Sequence, residues 1–194
     1  MSLNVLIITE DYRHDQYVLK PIVRSLLSEV GKSNANVKIC KDPMIGGVEE
    51  ALDREMVRDV ILTNPQVDLY LLVVDRDGDK REKSDRLQAR EKEAESLLRD
   101  NQVLFGEQAH QEVEVWLLAG QDDLPTDWNW QNVRDEPHPK ELYYDPYVEQ
   151  KGLRNSPGKG RKRLGKVAGA NYRTRVRNLC CEVQNLEKRV SETI

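Results

Sequence analysis

Residues 69–87, LYLLVVDRDGDKREKSDRL, begin as an unbroken apolar run and then place three aspartates at alternate positions, Asp75, Asp77 and Asp79. An apolar run rich in branched side chains predicts a strand that is covered on both faces of a sheet. Carboxylates crowded at the tip of such a strand repel one another and raise one another's pKa. A bound cation would remove that repulsion, so this stretch points to a metal site.

The rest of the first 120 residues alternates between strand-like and helix-like patterns. Short apolar runs predict strands at residues 4–9 and 36–40, and a fourth strand starts at residues 102–105. Helices are predicted at residues 18–30, 48–62 and 82–100, and at residues 110–120, where a strand through Val115 is the alternative. This alternation is typical of an α/β domain with a mainly parallel, four-stranded sheet flanked by helices.

The sequence changes character after Gly120. Five prolines interrupt a segment that contains Trp and Tyr, and a final helix is predicted at residues 172–190. We therefore predict a domain of residues 1–120, followed by residues 121–194, which hold an irregular linker, a basic segment and a C-terminal helix.

The charge is divided unevenly along the chain. The formal net charge is −4, but residues 150–181 contain ten Lys or Arg and no Asp or Glu. A protein that joins an acidic region to a cationic segment often binds polyanions such as nucleic acid through the cationic segment. A solvated or locally disordered loop explains the same composition equally well.

Several classes of protein are disfavoured. No stretch approaches the roughly 20 apolar residues that span a membrane, and the first residues lack a basic region and a cleavage site. The three cysteines and three histidines lack the spacing of disulfide frameworks or zinc sites. We expect a soluble, cytoplasmic protein with no membrane segment.

The first predicted strand also ends in acids, Glu10 and Asp11. If the first and third strands are parallel neighbours, Glu10 meets Asp75 and Asp77 at the carboxyl edge of the sheet, where α/β folds bind ligands. Oxygen ligands from two strand tips suit Mg²⁺. The spacing of two predicts both aspartates on one side of an extended tip, with Gly78 allowing a turn behind them. An ordinary polar turn is the alternative for this motif alone.

Two familiar motifs are excluded. A calcium-binding EF-hand loop that starts at Asp75 would need Gly and Glu where Lys80 and Arg86 stand. Residues 160–166, GRKRLGK, match a phosphate-binding P-loop, but Val167 replaces the required Ser or Thr and no strand precedes them. The stretch SPGKGRKRLGK instead predicts a flexible, glycine-rich cationic loop.

The ordered set of motifs resembles the TOPRIM domain, a nucleotidyl-transfer and nuclease module of topoisomerases, primases and OLD-type nucleases. More narrowly, the chain is similar to the small stand-alone TOPRIM-like proteins (DUF4276 type) of bacterial defence systems. The likeness rests on IITEDYRHDQYVLKPIVRSLL, LLVVDRDGD, and QEVEVWLLAG with the downstream PHPKEL, and it covers most of the chain.

The resemblance implies catalytic roles for Glu10, Asp75, Asp77 and Glu114. Glu10 would act in acid–base chemistry or metal binding, and the two aspartates would hold Mg²⁺ or Mn²⁺. We include Asp79 among the metal ligands, although a pairing with a neighbouring cation is the alternative.

The chain departs from the family pattern in two places. Asp11 stands where the family often has Gly, and Gly120 stands where an acid is often found, which weakens the case for two metals. Glu112 is a further candidate acid. For Glu114, an acid on the surface of a helix is the alternative.

Contacts of Lys and Arg side chains with phosphate groups give affinity for nucleic acid that is independent of base sequence and is weakened by salt. The residues predicted to bind nucleic acid are Lys140, Lys159, Arg161, Lys162, Arg163 and Lys166.

Together these features predict a Mg²⁺- or Mn²⁺-dependent nuclease that hydrolyses DNA or RNA. The resemblance further implies an effector of anti-phage defence that works with a separate ATPase subunit. The alternative is a non-catalytic TOPRIM-like subunit that binds nucleic acid or docks onto a partner, and nucleotidyl transfer is a third hypothesis. A homo-oligomer is among the open options.

Overall fold

Four parallel strands form the centre of the structure, a computed structural model that describes residues 2–78 and 81–194. In chain order the strands are β1 (Asn4–Thr9), β2 (Asn36–Ile39), β3 (Leu69–Asp75) and β4 (Val103–Ala109), and their order in the sheet is β2-β1-β3-β4. All three pairings are parallel. The predicted α/β class with a four-stranded parallel sheet is confirmed.

The register of the sheet sets its carboxyl edge. Val5 of β1 lies opposite Leu69 of β3, and Thr9 lies opposite Val73, so the ends of these two strands are adjacent. All residues of β3 before Asp75 are buried, as expected for a central strand covered on both faces.

Helices flank the sheet on both faces. They are α1 (Tyr12–Glu29), α2 (Val48–Ala51), α3 (Arg54–Thr63), α4 (Glu82–Ala94), α5 (Glu114–Ala119), α6 (Trp130–Asp135), α7 (Asp145–Gln150), α8 (Arg161–Ala170), α9 (Arg177–Leu179) and α10 (Cys181–Thr193). Two π-helical turns cover Lys140–Tyr144 and Tyr172–Val176. In the part of the chain that the structure describes, no helix is both long and apolar enough to cross a bilayer.

Several helix bounds differ from the prediction. The helix predicted at residues 48–62 is two helices, because the Asp53 side chain accepts the Met56 N–H at 2.8 Å and caps a new start. The helix predicted at residues 172–190 is interrupted at Cys180, whose backbone is extended. The predicted helix is confirmed at Val115, which lies in α5, and the strand alternative is wrong.

The region after Gly120 contributes to the same hydrophobic core as the sheet. Val133, Tyr144 and Val183 are buried in a cluster that also contains Ile7 of β1. The opposite face of the sheet packs against α2, α3 and α4 in a second cluster. The division at residues 120 and 121 stays a prediction, and the two predicted regions share one core.

The flexible loop predicted for the stretch SPGKGRKRLGK, residues 156–166, is wrong from Arg161 onward, because Arg161–Ala170 is helix α8, which packs against α1. Gly165 and Gly169 are four residues apart on one face of the helix. A Cβ at Gly165 would clash with the Tyr17 carbonyl oxygen, and one at Gly169 would lie 3.0–3.2 Å from Pro21. These glycines therefore permit close contact between two helices.

We expect Gly165→Ala to destabilise the fold by about 1–3 kcal/mol, the usual cost of overpacking, although Ala favours a helix by about 1 kcal/mol over Gly. Urea unfolding measures this change. Gly46→Ala is the control, because a Cβ there meets only the Glu50 side chain, at 3.5 Å. An increase in stability for Gly165→Ala would contradict the close packing of α1 and α8.

Candidate active site

A cavity of about 180 Å³ opens at the carboxyl edge of the sheet, beyond the ends of β1 and β3. This is the place where ligands bind in parallel α/β sheets. Its lining combines six acids, one histidine and three cations: Glu10, Asp11, His14, Asp15, Asp75, Glu112, Glu114, Lys140, Lys159 and Arg161.

Glu10 and Asp75 are in direct contact at this edge. Glu10 immediately follows β1 and Asp75 is the last residue of β3. The Glu10 Oε1 accepts the Asp75 backbone N–H at 2.8 Å, and the Asp75 Oδ1 accepts the Val113 N–H at 2.8 Å. The structure thus brings together two of the predicted acids and anchors them to the segment that leads into α5.

Asp77 takes a different position from the one predicted. The strand ends at Asp75, and Asp77 has a left-handed backbone with φ of 49°. The Asp77 Oδ2 accepts a hydrogen bond from the Lys83 Nζ at 2.6 Å, and the side chain is half-exposed. The expectation that Asp75 and Asp77 share one side of an extended tip is therefore wrong. Asp79 lies outside the described residues.

Glu114 is a buried partner of the basic segment. It is 4% exposed, as is Arg161, whose Nε donates to the Glu114 Oε1 at 3.0 Å and whose Nη2 donates to the same oxygen. The Arg161 guanidinium also lies 4.9 Å from the centre of the Tyr144 ring. The surface-helix alternative for Glu114 is wrong, and the Arg161 side chain is held by a carboxylate at the cavity wall.

No site role was predicted for Asp15 from the sequence. This residue is 8% exposed in the first turn of α1, where its carboxylate accepts the Thr9 hydroxyl at 2.5 Å and the Asp11 N–H at 3.3 Å. Its signal in the sequence is its position five residues after Glu10, which returns it to the strand tip when a helix starts at Tyr12.

Two further cavity side chains, Glu112 and His14, have hydrogen-bonding partners nearby. The Glu112 Oε2 accepts the Lys140 backbone N–H at 2.9 Å. The His14 Nδ1 lies 2.6 Å from the Asp11 Oδ2, so this carboxylate orients the ring. Glu112 was a further candidate acid in the sequence, whereas no site role was predicted for His14. The Glu112 contact joins residues 28 positions apart, and the His14 contact is local to the first turn of α1.

Burial and mutual repulsion make the cavity electrostatically strained. Burial, followed by repulsion from Glu114 and Glu10, raises the pKa of Asp75 well above its usual range. Burial also raises the pKa of Glu10, and it raises the pKa of Asp15 and of Glu112 to about 7. A divalent cation would favour the charged forms of all these carboxyl groups.

The donor chemistry of the cavity fits a hard divalent cation. Within the described residues, the hydrogen bonds of Glu10 and Asp75 use one oxygen of each carboxylate, which leaves Oε2 and Oδ2 for a metal. Across residues 2–78 and 81–194, no three acid, His or Cys groups already stand in a metal-binding arrangement. Glu10 and Asp75 are the two acids placed so that each keeps a carboxylate oxygen outside these hydrogen bonds.

The remaining predicted cations divide between two surfaces. Lys140 and Lys159 line the acidic cavity, whereas Lys162 and Lys166 line a separate groove between α1 and α8. Arg163 is exposed on α8. Their binding to nucleic acid stays a prediction.

The fold and the site together define an α/β protein with an all-parallel sheet and an acidic cavity at its carboxyl edge. Comparison with protein-family models, curated proteins and solved structures finds no match.

Asp15 predicts a specific dependence of stability on pH. Its pKa is about 7 in the folded protein against an ordinary value of 3.8, so the folded state binds more protons between these values. The free energy of unfolding should therefore fall as pH rises from about 4 to 7. Asp15→Asn removes this contribution, so the variant should gain stability over wild type, by more at pH 7 than at pH 5.

Urea unfolding of metal-free protein across this pH range measures the difference between Asp15→Asn and wild type. The exposed Asp59→Asn is the control and should show no such trend. A difference that stays constant with pH would show that Asp15 is charged throughout.

Proposed function

We propose that this protein is a TOPRIM-type, Mg²⁺- or Mn²⁺-dependent nuclease that hydrolyses phosphodiester bonds in DNA or RNA. The observation that carries the proposal is the contact between Glu10 and Asp75 at the tips of adjacent parallel strands, in a cavity that three cations also line. Carboxylates at neighbouring strand ends can bind a divalent cation, and Lys and Arg side chains beside them attract a phosphate group.

Glu10 and Asp75 would hold the cation, which supplies polarisation of a phosphate oxygen and a lowered pKa for water. Lys140 and Lys159 at the rim would attract the polyanion to an otherwise acidic cavity. Asp15 and Glu112 line the same cavity, and their pKa values are near 7 in the metal-free protein. The bound cation would favour their charged forms, in which either carboxylate could accept a proton from water.

The biological setting follows the resemblance noted in the sequence. We propose an anti-phage defence effector that acts in the cytoplasm with an ATPase partner subunit.

A second candidate function is a non-catalytic subunit that binds nucleic acid or docks onto a partner. The ion pairs of Asp77 with Lys83 and of Glu114 with Arg161 favour it, because each occupies an acid that a nuclease would use.

End-labelled DNA and RNA incubated with the protein, alone and with its partner, separate the two functions. The nuclease proposal expects cleavage with Mg²⁺ or Mn²⁺ and none with a chelator. Binding without cleavage under all of these conditions would favour the non-catalytic subunit, and incorporation of labelled nucleotides would indicate nucleotidyl transfer.

A further inference from the structure

A second concave surface, which we call the α1–α8 groove, lies beside the acidic cavity and encloses about 610 Å³. Lys20 and Arg24 of α1 line it on one side, and Lys162 and Lys166 of α8 line it on the other. Its floor includes Pro21, against which Gly169 packs. The close approach of the two helices therefore places four cations around one depression.

The groove has no counter-charge of its own. No Asp or Glu is among its lining residues, and within residues 2–78 and 81–194 no carboxylate lies within 4 Å of the cationic nitrogens of Lys20, Arg24, Lys162 or Lys166. Burial, together with the nearby Arg24 and Lys41, lowers the pKa of Lys20. Uncompensated cations at this density attract a polyanion.

Residues of α1 and α8 line both the groove and the acidic cavity. The first turn of α1 supplies His14 and Asp15 to the cavity, and the following turns supply Lys20 and Arg24 to the groove. From His14 to Arg24 the helix rises about 15 Å. That length corresponds to about four phosphates of one strand of a duplex.

We propose that the α1–α8 groove binds the sugar–phosphate backbone of a nucleic acid whose reacting phosphate lies in the acidic cavity. The inference rests on the proposed nuclease function and adds Lys20 and Arg24, which the sequence pattern did not single out. Because the contacts are to phosphates, binding in the groove is independent of base sequence.

Two double variants test the groove, Lys162→Glu with Lys166→Glu and Lys20→Glu with Arg24→Glu. Fluorescence anisotropy with labelled duplex DNA, single-stranded DNA and RNA, in a chelator to prevent cleavage, gives affinity as a function of salt. Each lost phosphate contact should lower the logarithmic salt slope by about 0.7–0.9, so each pair should lower it by about 1.5 and weaken binding at low salt.

The control is Arg58→Glu with Lys188→Glu, an equal change of charge on α3 and α10, and it should bind as wild type does. Substitution by Gln at Lys162 and Lys166 removes the same charges without adding acids and should lower the slope equally, so a folding defect in the Glu variants would not decide the result.

Wild-type affinity and slope in both groove pairs would overturn the inference and favour an acidic protein as the occupant. The inference would also be overturned if the wild-type protein bound none of the three probes. Groove-dependent binding without cleavage in Mg²⁺ or Mn²⁺, alone and with the partner, would support backbone binding in the groove and remove the nuclease proposal.

Discussion

Asp75→Asn is expected to reduce the proposed divalent-dependent cleavage by at least about 100-fold, because it removes one of the two proposed metal ligands. The fold should survive, because the amide oxygen can still accept the Val113 N–H. Stability should rise in the absence of metal, since the carboxylate that Glu114 and Glu10 repel is gone. Initial cleavage rates in Mg²⁺ and thermal unfolding in a chelator measure the two effects.

Asp68→Asn is a matched control for this experiment. Asp68 precedes the other end of β3, and its Oδ2 accepts the Asn4 backbone N–H at 2.7 Å. The same substitution therefore alters a carboxylate that accepts a backbone N–H of the neighbouring strand β1, at the opposite end of β3 from the cavity. Activity should be unchanged in Asp68→Asn, and undiminished activity in Asp75→Asn would contradict its assignment as a metal ligand.

Arg161→Met is expected to destabilise the protein by about 3–5 kcal/mol, because it leaves Glu114 as a buried charge without its partner. Both side chains are about 5% exposed, so solvent screens the pair only weakly. The free energy of unfolding from urea titration measures the loss. Lys162→Met, at the exposed neighbouring position, should change that free energy by less than about 0.5 kcal/mol.

The double variant Arg161→Met with Glu114→Gln distinguishes loss of the pair from loss of packing. Because Gln carries no charge, much of the stability lost in Arg161→Met should return. If Arg161→Met costs no more than Lys162→Met, the ion pair does not join α8 to α5 in solution.

Much of the sheet and part of the site follow from the sequence, for a physical reason. A strand covered on both faces must be apolar throughout, so β1 and β3 are visible as unbroken runs. If β1 and β3 are parallel neighbours, the residues at their carboxyl ends are neighbours as well. The contact between Glu10 and Asp75 therefore follows from the positions of the two strands alone.

The other contacts depend on segments that are distant in sequence or on local backbone conformation. Glu114 and Arg161 are 47 residues apart, and neither residue indicates its partner. Asp77 does not line the cavity, because its backbone is left-handed and its carboxylate binds Lys83. Neither the left-handed backbone nor the pairing with Lys83 can be predicted from a D-x-D pattern.

The glycines of the basic segment were the reason that a loop was predicted where the structure has helix α8. A glycine that allows close helix packing and one that gives a loop its freedom look the same in composition. Only the position of Gly165 against the Tyr17 carbonyl shows that it belongs to a helix interface.

The central claim is that carboxylates from two adjacent strand tips hold one divalent cation. Anomalous diffraction from crystals of the wild-type protein soaked in Mn²⁺ tests it most directly. We predict a peak in the acidic cavity, within contact distance of the carboxylate oxygens of both Glu10 and Asp75, and its loss in Asp75→Asn. A cavity without a peak at saturating Mn²⁺, or a peak that contacts neither residue, would contradict the account.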